Sequence, residues 1–202
     1  MYTIYIMEDT IAIDIVLLPP QEIWDLSVSL SRDIREQNPE SDILLDDTHL
    51  PHITLVQASV DNLEEIYKVT KKSLADIRPL PFNVECVMID ENGTVGLSIV
   101  KTKELQQLHN DLMSSIEKFR RDVDSKAFYL DSDQAVGRGT LDWVQNFTQH
   151  TGYEKYIPHI TLGRISSSPK IEQKRFIADR VAVCHLGNHC TCRKILKEWQ
   201  LI

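Results

Sequence analysis

Pro51-His52-Ile53-Thr54-Leu55 and Pro158-His159-Ile160-Thr161-Leu162 are the same five residues, met twice in one chain. Each copy opens a short apolar, β-branched run, so each reads as the start of a strand, over 53–60 and 160–165. Outward from the first copy, the run 11–18 (IAIDIVLL) is a strand stopped by Pro19-Pro20. Pro20 begins a helix to Gln37, with Ile23, Trp24, Leu26, Val28, Leu30 and Ile34 on its apolar side. Residues 38–51 are acidic and turn-rich and read as a loop. Beyond the copy, Asp61 and Glu64 have the spacing of a helix start, which predicts a helix over 61–77 and then a strand over 82–89. The second copy has the same surroundings: a strand over 94–100, a helix over 102–120, an irregular stretch to 138, a short helix over 140–150, the motif strand, a helix over 169–178 opened by Ser168-Pro169, and a strand over 181–186. Asn92-Gly93 joins the two series as a hairpin turn. Thr191 to Leu201 forms a last strand.

The repeated order is that of an internal duplication, one half over about 11–90 and the other over about 93–202, within a single domain of 202 residues. Two similar halves pack about a pseudo-twofold axis, which brings the two motif strands face to face or side by side. Alternate side chains of a strand share a face. His52 and Thr54 therefore point one way and Ile53 and Leu55 the other. His159 and Thr161 part in the same manner from Ile160 and Leu162. The predicted product is a cleft holding two imidazoles and two hydroxyls.

That set suits phosphodiester chemistry. Histidine titrates near neutrality, so one imidazole accepts a proton while the other donates one, from opposite sides of the phosphate. Thr54 and Thr161 have hydroxyls to bind the non-bridging oxygens. Nothing in packing alone requires histidine twice at matching positions. No glycine-rich phosphate loop and no serine–histidine–carboxylate pattern stands beside them. Tyr156, three residues before His159, and nearby Tyr153 are candidates for stacking on a base at the rim. Arg164 lies five residues after His159, and strict alternation puts it on the opposite face unless the strand bulges, so it stays outside the catalytic set. Gly163 falls on the face of His159 and Thr161, where a missing side chain leaves a ligand room. Arg138, between two glycines in the loop 131–140, is in reach of a phosphate only if that loop moves.

Composition narrows the class. With 42% apolar and 26% charged residues the chain is an ordinary globular sequence, neither collagen-like nor disordered. No apolar run approaches the roughly 18 residues of a membrane helix, and the first residues lack the basic start of a secretory signal, so a cytoplasmic protein is expected. The net charge of −8 argues against coating long nucleic acid. The charge is uneven: 11 acids and 2 bases in residues 1–50, but 4 acids and 9 bases in 151–202. Either the ends compensate one another or an anionic ligand meets the C-terminal part. Cys184, Cys190 and Cys192 cluster with His185 and His189, but zinc pairs are usually separated by two residues, not one. Reduced, partly buried thiols and no metal are the expectation.

The duplicated motifs His52-Ile53-Thr54-Leu55 and His159-Ile160-Thr161-Leu162 resemble those of the two-histidine (2H) phosphoesterase superfamily, which includes 2′-5′ RNA ligase-like proteins and cyclic phosphodiesterases. The resemblance implies an α+β fold of two lobes with antiparallel sheets, flanking helices and a V-shaped central cleft. It implies catalysis by His52 and His159 without a cofactor or metal, at a 2′,3′-cyclic or 2′-5′ phosphodiester. The substrate class is then a small nucleotide or short RNA end, with no long duplex and no membrane partner, acted on by a monomer. Two alternatives stay open: 2′-5′ joining of RNA ends, and nucleotide binding without turnover. Which histidine is the acid is not legible.

Overall fold

The run Ile11–Leu18 is apolar on both faces because it occupies the middle of a sheet, covered on both sides. The computed structural model describes residues 10–90, 92–130, 135–164 and 171–202. In chain order its elements are β1 (Ile11–Leu18), α1 (Gln21–Gln37), β2 (Ile53–Val60), α2 (Leu63–Ser73), β3 (Leu80–Ile89), β4 (Thr94–Ile99), α3 (Lys103–Ile116), β5 (Arg120–Arg121), α4 (Arg138–Gln145), α5 (Phe147–Thr151), β6 (His159–Arg164), β7 (Lys174–Ala178), β8 (Arg180–Leu186) and β9 (Cys192–Gln200). They make two antiparallel sheets, one in the order β5-β2-β1-β8-β9 and one in the order β6-β4-β3-β7. This is the α+β, two-sheet architecture expected from the sequence.

The duplication is visible in the pairing. In one sheet β1 lies between β2 and β8; in the other β4 lies between β6 and β3. First, second and third strands of the two halves thus correspond, but the third strand of each half is lodged in the sheet of the other. The helices cross over likewise: α1 packs on β6, and α3 packs on β2. The sequence halves and the two sheets are therefore different divisions of the chain. The main core fills the space between sheets and helices, drawing Ile13, Ile15, Leu17, Ile53 and Leu55 from one sheet and Val95, Leu97, Ile160 and Leu162 from the other. Ala12, Val16 and Leu18 alternate with these in β1 and join two smaller clusters on the opposite face.

Local signals explain most boundaries. Thr102 caps α3 by accepting from the Leu105 N–H at 3.2 Å. Asn62, rather than Asp61, caps α2 by accepting from the Glu65 N–H at 3.1 Å, because Asp61 is engaged by Arg121. Gly93 takes φ +75 beside the β3–β4 turn, as an Asn-Gly hairpin requires. In α1 the fully buried residues are Ile23, Ser27, Ser31 and Ile34; Val28 and Leu30 are half buried against the same core, and Trp24 is half buried against a smaller cluster. Small serines let the helix approach β6 closely.

One predicted element is replaced. Ser168 and Pro169 lie outside the described residues, and the stretch 174–178, expected to be helical, is strand β7. Phe176 and Ala178 point inward, while Arg175 and Ile177 point outward, the period of a strand pairing with β3. In the sequence, the Ser-Pro signal outweighs so short an alternation. The single helix expected over 140–150 is two, broken at Asn146 (φ −104, ψ 19).

Candidate active site

Both motif strands carry the same irregularity. Across β1 and β2 the partners run Ile15 with Val56 and then Val16 with Thr54, so Leu55 is skipped. Across β4 and β6 they run Val95 with Gly163 and then Gly96 with Thr161, so Leu162 is skipped. Each leucine is the extra residue of a β-bulge, and its carbonyl leaves the ladder. A buried carbonyl needs a donor, and each is met by a helix of the opposite half. His109 of α3 donates from Nδ1 to Leu55 O at 2.7 Å. Ser31 of α1 donates from Oγ to Leu162 O at 2.6 Å and accepts from the Leu45 N–H at 2.9 Å.

The bulge resets the alternation that follows it. Thr54 and Gln57, rather than Thr54 and Val56, point together: both donate to Asp14 Oδ2 at 2.8 Å. In the other strand His159, Thr161 and Arg164 all line the cleft. Arg164, which uninterrupted alternation puts on the far face, thus joins the site. Gly163, expected to open room for ligand, is instead turned toward α1: a Cβ there would sit 2.9 Å from Ile34 Cγ2 and 3.2 Å from Ser41 Oγ.

The histidines are fixed by the residues before them. A residue that precedes proline is driven to extended backbone, and here those residues, Leu50 and Ile157, offer carbonyls two positions before each imidazole. His52 Nδ1 donates to Leu50 O at 2.7 Å, and His159 Nδ1 donates to Ile157 O at 2.9 Å. A carbonyl only accepts, so Nδ1 carries the proton in both rings and Nε2 is left for the cleft. Gly96 lies under the His159 ring, where a Cβ would be 3.4 Å from Cδ2. The cleft has a volume of about 870 Å³, the size of a small-ligand site, and all four motif residues His52, Thr54, His159 and Thr161 line it.

The two sides differ electrically. Beside His52 stands Asp14, fully buried, with Oδ2 at 3.6 Å from Nε2. Burial pushes the Asp14 carboxyl up to about 8, against the pull of its bonds from Gln57 and Thr54. Among the described residues, Asp14 Oδ1 has no hydrogen-bond partner. Burial lowers His52 to about 4, with the Leu50 carbonyl opposing and the His159 charge adding to the fall. Burial likewise lowers His159. Beside His159, the position matching Asp14 is Thr94, and the position matching Gln57 is Arg164. Asp42 holds Arg164 at 3.4 Å and His189 Nδ1 at 3.2 Å. The Thr54 hydroxyl is bound to Asp14, whereas that of Thr161 makes no hydrogen bond among the described residues.

Tyr156 is 2% exposed. Its hydroxyl donates to Thr54 O at 2.9 Å, bridging the two motif segments, and its ring lies parallel to His109 at 4.1 Å. Tyr153 gives its N–H to His109 Nε2 at 2.9 Å and is not part of the cleft wall. Arg138 is exposed at the start of α4, and residues 131–134 of its loop lie outside the described ones. Asp14, His52 and Cys192 bring ligand atoms within 4.8 Å of one another, the one such trio among the described residues. As a metal set it fits poorly: Asp14 Oδ2 already takes two hydrogen bonds, and burial holds the Cys192 thiol well above its ordinary range. The four cysteines are free thiols, Cys184 and Cys192 buried. Sequence reading misses Asp14, Gln57 and Asp42; the only available signal is a lone acid inside the apolar run IAIDIVLL.

Comparison with known proteins bears on the family and the fold. The family model of the 2′-5′ RNA ligase superfamily matches residues 19–182. The structure of TT0787 from Thermus thermophilus is similar at a TM-score of 0.61 and 15% identity, covering 95% of this chain and 98% of that one. E. coli LigT complexed with ATP is similar at a TM-score of 0.56 and 17% identity, covering 96% and 99%. LigT complexed with 3′-AMP is similar at 0.53 and 17%, covering 96% and 98%. No curated protein matches the sequence.

Proposed function

Because the chain belongs to the 2′-5′ RNA ligase superfamily, a group of two-histidine phosphoesterases, we propose that it is a metal-independent phosphodiesterase hydrolysing a 2′,3′-cyclic or 2′-5′ phosphodiester of a small nucleotide or RNA end. The observation that carries the reading is the pair of imidazoles held by the same Nδ1–carbonyl bond, each turning Nε2 to one cleft. A neutral imidazole takes the proton of the attacking water, while its protonated partner gives one to the leaving ribose oxygen. Thr161 and Arg164 donate to the non-bridging oxygens as charge builds on them, and Thr54 does so after exchanging its bond to Asp14. Burial keeps both imidazoles neutral in the free enzyme near pH 7. The negative phosphate supplies the charge that stabilises one imidazolium. ATP and 3′-AMP in the LigT structures support an adenine nucleotide as the first ligand to test.

The test is turnover of adenosine 2′,3′-cyclic phosphate and a 2′-5′ adenylate dimer in EDTA across about pH 3.5–9, a range that brackets both imidazoles. A bell-shaped kcat/KM is expected, with its maximum on the acid side of pH 6.5, because both imidazoles titrate below their ordinary value. His52→Ala and His159→Ala should each lose about 10²–10⁴-fold, the usual worth of a general acid or base. Activity that EDTA abolishes overturns the metal-free mechanism. Formation of a 2′-5′ bond between RNA ends, with no hydrolysis of either substrate, would favour the ligation reading that the family description supports.

A further inference from the structure

We propose that the cleft carries a nucleobase platform made of Trp143 and His150, so that its substrate is gripped by a base as well as by its phosphate. This rests on the phosphodiester reading above and names the subsite that reading leaves open. Residues Thr140, Trp143, Phe147, His150 and Thr151 recur at helical spacing along α4 and α5, and all of them line the cleft. Thr140 and Phe147 are buried at the base of that face, while Trp143 is 41% exposed. The Trp143 and His150 rings lie parallel, with centroids 4.9 Å apart and an interplanar angle of 1°. The helix break at Asn146 lets two side chains seven residues apart meet in this way. Asn146 also holds the arrangement: its Nδ2 donates to Asp142 Oδ1 at 3.0 Å, and Asp142 Oδ2 lies 3.8 Å from His150 Nε2.

A stacked aromatic pair with Trp143 half exposed in a cleft wall has no part in handling a phosphate, which needs donors and charge. It is what a planar heterocycle needs, since every base has a π-face and stacking asks for no hydrogen-bond match. The rings are already fixed, so little side-chain freedom is lost on binding. The matching stretch of the first half, between α1 and β2, holds no helix. Both α4 and α5 pack on β2, the strand that His52 precedes. The platform is therefore one-sided, and the nucleoside lies toward the Asp14 side of the cleft rather than the Arg164 side.

The probes are adenosine 3′-monophosphate and inorganic phosphate, with calorimetric binding to the wild type, Trp143→Ala and Trp143→Phe. The expected result is that the preference for the nucleotide over phosphate falls about tenfold in Trp143→Ala, the order of one lost base stack, and is largely kept in Trp143→Phe. In turnover, the ratio of kcat/KM for adenosine 2′,3′-cyclic phosphate to that for base-free glycerol 1,2-cyclic phosphate should fall by the same factor, through KM rather than kcat. An unchanged preference in Trp143→Ala, or a wild type that binds phosphate but not the nucleotide any better, overturns the platform. Binding answers independently of catalysis. A nucleotide preference that Trp143→Ala removes, in a protein that turns over neither substrate, would keep the platform and overturn the phosphodiesterase reading.

Discussion

At the scale of single residues, Asp14 decides how the site responds to pH. Its folded carboxyl titrates at about 8 against 3.8 when exposed, and His52 at about 4 against 6.5. Between pH 4 and 6.5 the folded state holds one extra proton on Asp14 and lacks one on His52, so these two contributions to stability cancel. Just above 6.5 the buried histidines, His159 among them, still lack protons that the unfolded chain holds; once those are lost, toward pH 8, Asp14 dominates, the folded state binds more protons, and stability falls as pH rises. The unfolding free energy of the wild type, from urea titrations, is therefore expected to decline between about pH 7.5 and 8, by at most about 1.4 kcal/mol per pH unit. Asp14→Asn keeps an oxygen for Thr54 and Gln57 and should remove that decline; a variant that declines equally refutes the assignment. His52 and His159 are legible because a repeated pentapeptide cannot be explained by packing. Asp14 is not, because its importance comes from lying across the sheet from Thr54 and Gln57, and pairing between distant strands is not written in the spacing of either one.

Among elements, the paired bulges carry the most information. A sequence read by strict alternation puts Arg164 outside the cleft and Gly163 inside it; one extra residue at Leu162 exchanges them. That residue needs a donor for its carbonyl, and the donor comes from a helix more than a hundred positions away, so no local signal announces it. Removing the donor tests the account. Ser31→Ala leaves both Leu162 O and Leu45 N without a buried partner, which should cost about 2 kcal/mol, or about 4–8 °C in Tm for a chain of this length. Gly163→Ala should destabilise by about 1–3 kcal/mol, since the added methyl meets Ile34 across the helix–strand contact. A calorimetric Tm equal to the wild type's in either variant refutes the packing described. Long elements such as β1, β2 and α1 are legible from periodicity. Strand β7 is not, because five residues give an alternation that one Ser-Pro signal outweighs.

For the molecule as a whole, the exchange of third strands binds the halves to one another. Each half alone lacks the strand that completes its sheet: the first misses β8 beside β1, and the second misses β3 beside β4. Expressed separately, the fragments 1–91 and 92–202 should show no cooperative unfolding, while mixing them should restore a transition. A folded, monomeric first fragment would overturn this view of the architecture. The duplication is legible, but the exchange is not: the third strands are equivalent in pattern, so the sequence does not say which of them lies beside β1 and which beside β4. The exchange also sets the mechanics of the cleft. The backbone passes from one sheet to the other four times among the described strands, between β2 and β3, β4 and β5, β5 and β6, and β7 and β8, the last through Asp179 alone. Four strips resist the parting of two bodies more than one would. The slot between the histidines is then expected to act as a gauge sized before any substrate arrives, leaving admission to the side chains at its mouth.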